Sequence, residues 1–318
     1  MRNIFPEFLR EDEFEAKSVS RRELLRTTAL VSFAVASVAL ISGCAADDAP
    51  VIVADPATVA PLALPLTLAK IFHHTGISVP DVEAAGRFYS QLFGGQNVNG
   101  EREPFVRYFI KLNPGEVAIG KLGTLGSTGR TVPLIDHICV DAIAFDDAAW
   151  RARLAAEGRQ YIAQGVFLGL DNIPVQVAGG EGGESLAAGE VTQMPSLYDG
   201  PALVAPHGFD HVVMAVSNVA DASIFWQRMF GLSELGLDAG VLWLGNGGTS
   251  RLGLRLSRDG EDFGAVYQAV RGIYEPESTR LALQGLGAQL LPALAYDAPE
   301  SIRFIGPDGI ETLLVPAA

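Results

Sequence analysis

Five histidines, His73, His74, His137, His207 and His211, hold most of this chain's capacity for metal binding and hydrogen bonding near neutral pH. Two of them begin runs with a distinctive polarity. In the first run His74, Gly76 and Ser78 share one face of an alternating strand, and Thr75, Ile77 and Val79 share the other. In the second run His137, Cys139 and Asp141 share a face, with Ile138 and Val140 opposite. The polar face in each case makes a poor core and a good cavity wall; the apolar face suits packing against a helix. His73 and His207 fall just outside the expected strand starts, where solvation or a hydrogen bond is the ordinary outcome.

The elements that must position these groups come in duplicate. The stretch from His74 to Gly94, HTGISVPDVEAAGRFYSQLFG, aligns without a gap to His211–Gly231, HVVMAVSNVADASIFWQRMFG, at a constant offset of 137 positions. That period is too long for a solenoid and implies two copies of one module. In the first copy, Pro80 ends the strand and Asp81 is placed to cap a helix. Val82, Ala85, Phe88 or Tyr89, Leu92 and Phe93 recur at helical spacing before Gly94-Gly95. Phe88, Tyr89, Phe225 and Trp226 therefore read as core. Strands are expected at 105–112 and 116–122 around the Asn113-Pro114-Gly115 turn, with Arg107 and Tyr108 alternating on the first. A second unit follows: a strand at 134–140, a helix capped by Asp146-Asp147, and strands at 161–168 and 173–177. Residues 71–178 form the first module and the Gly-rich stretch 179–206 the linker. Residues 207–318 repeat the plan, with helices near 219–230 and 277–284.

The opening residues are read as an address. Arg21-Arg22 within Ser20–Arg26 is a twin-arginine pattern, and the mild apolar run after it is shorter than the roughly 20 residues a membrane span needs. Ile41-Ser42-Gly43-Cys44 resembles the bacterial lipobox, which implies a signal over 1–44 and diacylation of Cys44. Residues 45–70, rich in Ala, Pro, Asp and Val, then form a tether. The expectation is an exported bacterial lipoprotein, periplasmic or at the cell surface, touching membrane through its lipid alone. The signal holds six basic and six acidic residues, so the mature charge stays at −14, which argues against nucleic acid as a partner. Cys139 is the one other cysteine, so no disulfide can form within the mature chain apart from the lipidated residue.

The His-x6-Asp entry to a helix that contains Phe-Tyr and closes in Leu-Phe-Gly resembles the vicinal oxygen chelate superfamily. That group includes glyoxalase I, extradiol ring-cleaving dioxygenases and bleomycin-resistance proteins. The resemblance spans nearly all of 71–318. It implies an α+β fold of tandem modules, each built from two βαβββ units that form a cupped mixed sheet with helices outside. By position it implies a metal site of His74, His137 and Gln176 for iron, manganese, zinc, nickel or cobalt. Gln176 departs from the usual glutamate: an amide oxygen can ligate but brings no charge. Ser78, Cys139, Tyr108 and His211 are the further candidates for a substrate pocket, although a buried small residue is the ordinary role for Cys139. The second module keeps His211 but has Val266-Tyr267 and Leu313 at the other two ligand positions, so it reads as structural or as an apolar wall. Glu311 lies on the face of Leu313 and would be an alternative donor there. Two functions follow: a metal-dependent dioxygenase, lyase or isomerase acting on a small molecule with adjacent oxygens, or a non-catalytic protein that sequesters a small ligand. A purely structural envelope protein is the third reading.

Overall fold

The structure is a computed structural model that describes residues 69–95, 98–101, 107–123, 127, 129–143, 146–163, 165–179, 192–193, 195–248 and 250–317. The twin-arginine motif, Cys44 and all but the last two tether residues lie outside the described residues. In the first half β1 (Ala69–Val79) leads into α1 (Val82–Phe93), β2 (Val98–Glu101), β3 (Arg107–Lys111) and β4 (Glu116–Lys121). A second pass gives β5 (Leu134–Ala142), α2 (Asp147–Ala156), β6 (Tyr161–Ala163), β7 (Val166–Leu168) and β8 (Pro174–Gly179). The two-residue β9 (Thr192–Gln193) belongs to the linker. The second half runs β10 (Ala205–Val216), α3 (Val219–Phe230), β11 (Ser233–Asp238), β12 (Val241–Gly245), β13 (Arg251–Leu256) and β14 (Gly264–Ile273). It closes with α4 (Pro276–Gly285), β15 (Gln289–Leu291), β16 (Ile302–Ile305) and β17 (Glu311–Pro316).

Pairing converts each half into one eight-stranded array. In the first the order is β2-β3-β4-β1-β5-β8-β7-β6, with β1–β4 and β5–β8 parallel and β1–β5 antiparallel at the centre. The second half repeats it as β11-β12-β13-β10-β14-β17-β16-β15. This is the expected α+β arrangement of paired βαβββ units. Both leading strands start earlier than the alternation suggests, because Ala69 pairs with Ala142 and Ala205 with Ile273. The expected strand 161–168 divides into β6 and β7 around Gly165, whose φ of 73° is open to glycine. Within the linker, β9 pairs along the outer edge of β2.

The helices begin where capping chemistry permits. The Asp81 side chain accepts from the Ala84 backbone N–H, and Asn218 accepts from those of Ala220 and Asp221. Their apolar faces do not serve their own half alone. Phe88 of α1 meets Phe304 of β16 at 6.1 Å between ring centres, while Phe230 of α3 meets Trp150 of α2 at 5.4 Å. Phe225 lies 6.3 Å from Phe167, and Arg228 pairs with Glu157 at 2.9 Å. Each half thus lends its first helix to the second unit of the other, so the two copies share one core. Trp150 is 2% exposed at the centre of that aromatic cluster. Trp150→Ala is expected to cost about 3–5 kcal/mol of stability in chemical denaturation, as large-to-small changes at packed aromatics do. A loss under about 1 kcal/mol would mean that the halves do not depend on this contact.

The same boundary holds a buried carboxyl. Asp308, in the turn between β16 and β17 and beside Tyr89 of α1, is pushed up to about 6 by burial. Because the folded state holds this proton more tightly than the unfolded chain, stability falls as pH rises from about 4 to about 6 and levels off above. Asp308→Asn is therefore expected to raise the melting temperature at pH 8 and to leave it unchanged at pH 4. Equal effects at the two pH values would remove Asp308 as the titrating group.

Candidate metal centre

Three neighbouring strands bring the predicted ligands together. His74 of β1 stands opposite Cys139 of β5, which pairs in turn with Gln176 of β8; His137 stands opposite Gly76. The His74 Nε2 atom lies 3.1 Å from His137 Nε2 and 3.0 Å from Gln176 Oε1. His74 and Gln176 are buried, and His137 is half-buried at the opening. Two donors about 2.1 Å from one ion and near a right angle apart would show about this spacing, so the donor set fits a divalent metal.

Each imidazole is oriented through its other nitrogen. The His137 Nδ1 contacts the Asp136 carboxylate, which also accepts a hydrogen bond from the Ser78 hydroxyl. His74 Nδ1 lies 2.9 Å from His73 Nδ1. Such outer partners fix a ring's tautomer and aim its free nitrogen. Burial, then the nearness of His137, His73 and Arg107, holds the His74 pKa well below its ordinary value. His74 is therefore neutral at pH 7, the form that ligates. Gly76 makes room for this arrangement: a Cβ there would overlap Cε1 and Nδ1 of the His137 ring. A second grouping shares His74, since donor atoms of His73, His74 and Cys139 lie within 4.8 Å of one another. Burial, then the nearby carboxylates of Glu116 and Asp141, push the Cys139 thiol well above its usual pKa, so it packs as a thiol.

No protein-family model matches the chain, and no curated protein does. Solved structures do. The 2,3-dioxygenase LapB from Pseudomonas sp. KL28 superposes with a TM-score of 0.55 at 12% identity, over 80% of this chain and 94% of its own. A Mn(II)-bound glyoxalase from Novosphingobium aromaticivorans gives 0.54 at 16% identity, over 79% and 83%. A variant of 4-hydroxymandelate synthase from Streptomyces coelicolor gives 0.56 at 11% identity, over 78% and 92%. This chain has the vicinal oxygen chelate fold.

Within the vicinal oxygen chelate fold, the second half is an internal control. Register places Tyr267 where the first half has His137, and Leu313 where it has Gln176. His211 is the exception to the expected pocket. It is not in the first cup but buried in the second, with Nδ1 2.7 Å from Asp210, Nε2 3.1 Å from the Tyr267 hydroxyl, and its ring 4.9 Å from that of Trp243. Val213, Val241, Trp243, Tyr267 and Leu313 fill the space around it. Glu311 is taken by Arg303, whose guanidinium also lies 4.2 Å from the Tyr267 ring centre. No ligand position remains open there among the described residues.

The other predicted pocket residues divide. Ser78 and Cys139 lie on the cup face beside the histidines. Tyr108 points the other way, packing over Gly86 of α1, and is 8% exposed. Alternation along β3 therefore turns its neighbour Arg107 to the cup, where the guanidinium lies over Gly120. His73 is not outside its strand, since β1 extends back to Ala69. The sequence reading missed Asp136 because strict alternation puts it opposite His137. A register irregularity at Gly76/Ile77 brings the two side chains to one site instead. The adjacent Asp-His pair, repeated at Asp210-His211, was the available signal.

Proposed function

We propose that the amino-terminal cup is a divalent-metal-dependent active site for a small organic molecule with adjacent oxygens, in a dioxygenase, lyase or isomerase reaction. The observation that carries this reading is the convergence of His74 Nε2, His137 Nε2 and Gln176 Oε1 from three separate strands, in the half that keeps all three donor positions. A 2,3-dioxygenase and a Mn(II)-bound glyoxalase among the structural neighbours support it. A bound ion would polarise the substrate's oxygens as a Lewis acid. The chain's part is to present two imidazoles, held by Asp136 and His73, and one uncharged amide. The buried floor of the cup limits water at the reacting atoms.

Elemental analysis of folded protein dialysed against iron, manganese, zinc, nickel or cobalt in turn is expected to find about one equivalent of at least one metal. Retention of none would sink the reading. The neutral Gln176 favours a second reading, ligand sequestration without chemistry, because an amide weakens metal binding. Stabilisation by an organic ligand in the presence of chelator, with no turnover when metal is restored, would support it.

We further propose that the chain is exported and lipid-anchored, on the strength of Arg21-Arg22 and the Ile41–Cys44 sequence. Cys44→Ser is expected to move the mature protein from the membrane fraction to the soluble periplasmic fraction. An unchanged distribution would remove the lipid anchor.

A further inference from the structure

We infer that the substrate of this cup carries an anionic group, and that Arg107 receives it. The inference rests on the metal-dependent reading above and adds the charge class of the substrate.

Three observations carry it. Arg107 is an uncommitted cation: it makes no hydrogen bond or ion pair among the described residues, although it is half-buried. Two carboxylates of the cup wall are engaged elsewhere, Glu116 by Lys111 and Asp136 by Ser78 and His137. A half-buried guanidinium without a partner is costly to the fold and suited to a bidentate acceptor. Second, no side chain from the adjoining strand position covers it. Gly120 adjoins Arg107 on β4, and a Cβ placed there would come 3.6 Å from Nε and 3.9 Å from Nη2. In the filled cup the same two positions are Val241, which is 1% exposed, and Arg255, which pairs with Glu261. Among the described residues, a cation with no such partner beside a glycine therefore occurs in the half that has the ligand set and not at the matching positions of the other. Third, none of the proposed ligands is a carboxylate. With Gln176 in place of a carboxylate, neither a divalent ion nor Arg107 is offset by a negative ligand of the protein. A substrate bearing a carboxylate or a similar anion supplies the missing charge, with its adjacent oxygens at the imidazoles and its anionic group at Arg107.

The test compares two probes that share their chelating oxygens and differ by one charge: catechol and 3,4-dihydroxybenzoate. Titration calorimetry on metal-loaded protein is expected to show the carboxylate-bearing probe binding at least tenfold more tightly. Arg107→Gln should erase that preference while metal content and catechol affinity stay within twofold. Arg107→Lys, which keeps the charge and loses the fork, should retain part of it. Equal affinity for the two probes, binding of neither, or a preference that survives in Arg107→Gln overturns the inference. Metal content measured in parallel separates this from the parent reading. Metal held with no preference sinks the anionic substrate alone, whereas an Arg107-dependent preference in protein that holds no metal sinks the metal site alone.

Discussion

A His137→Ala protein is expected to lose metal affinity by at least roughly 100-fold, while His211→Ala keeps the parent stoichiometry. The contrast tests the assignment of the site to one half. His137 is half-buried and bonded to Asp136, so its removal opens the ligand set without emptying a core position. His211 is 3% exposed and locked between Asp210 and Tyr267. Its removal is expected to cost about 1–3 kcal/mol of stability, because the Tyr267 hydroxyl is left without its imidazole partner. Asp210 remains paired with Arg251 and Arg271, so the second half should still fold. Competition against a chromophoric chelator measures the affinities, and circular dichroism checks the fold. Equal metal loss in both variants would show that the centre is not the one built by β1, β5 and β8.

The second large effect comes from a residue that cannot bind metal at all. Gly76→Ala is expected to weaken metal binding by roughly 10- to 100-fold with the fold intact. The added methyl would fall within the space of the His137 ring and press on the Asp136 carboxylate. Something must move, and the exposed end of His137 yields more readily than the backbone of two paired central strands. That motion takes the imidazole away from both Asp136 and the ligand set. The duplicate half shows the alternative packing: Val213 stands at the position of Gly76, and Tyr267 replaces the histidine. Metal affinity equal to the parent's, measured on folded Gly76→Ala protein, would show that His137 is not held by this contact.

Much of this was legible in the chain. The 137-residue repeat and the change from two-residue to helical periodicity after Pro80 determined two copies of a strand-and-helix module. Periodicity is a local property, and local steric rules are enough to read it. The polar faces of His74 and His137 followed from the same rule, and the family resemblance supplied Gln176 through the turn at Asp171-Asn172.

What the sequence left open depends on contacts between distant strands. Whether Arg107 or Tyr108 faces the cup was decided by which side of β3 meets α1. The register irregularities in β1 and β5 set Asp136 beside His137 and His73 beside His74, against simple alternation. A bulge is a property of two paired strands, so neither strand's sequence alone contains it. The loan of each first helix to the opposite half, and the closing of the second cup by Trp243, Tyr267 and Val241, are likewise matters of volume filled between separate elements. Sequence by itself determined the elements and their polar faces; tertiary packing decided which faces enclose a space and which fill it, because free volume is set by every wall at once.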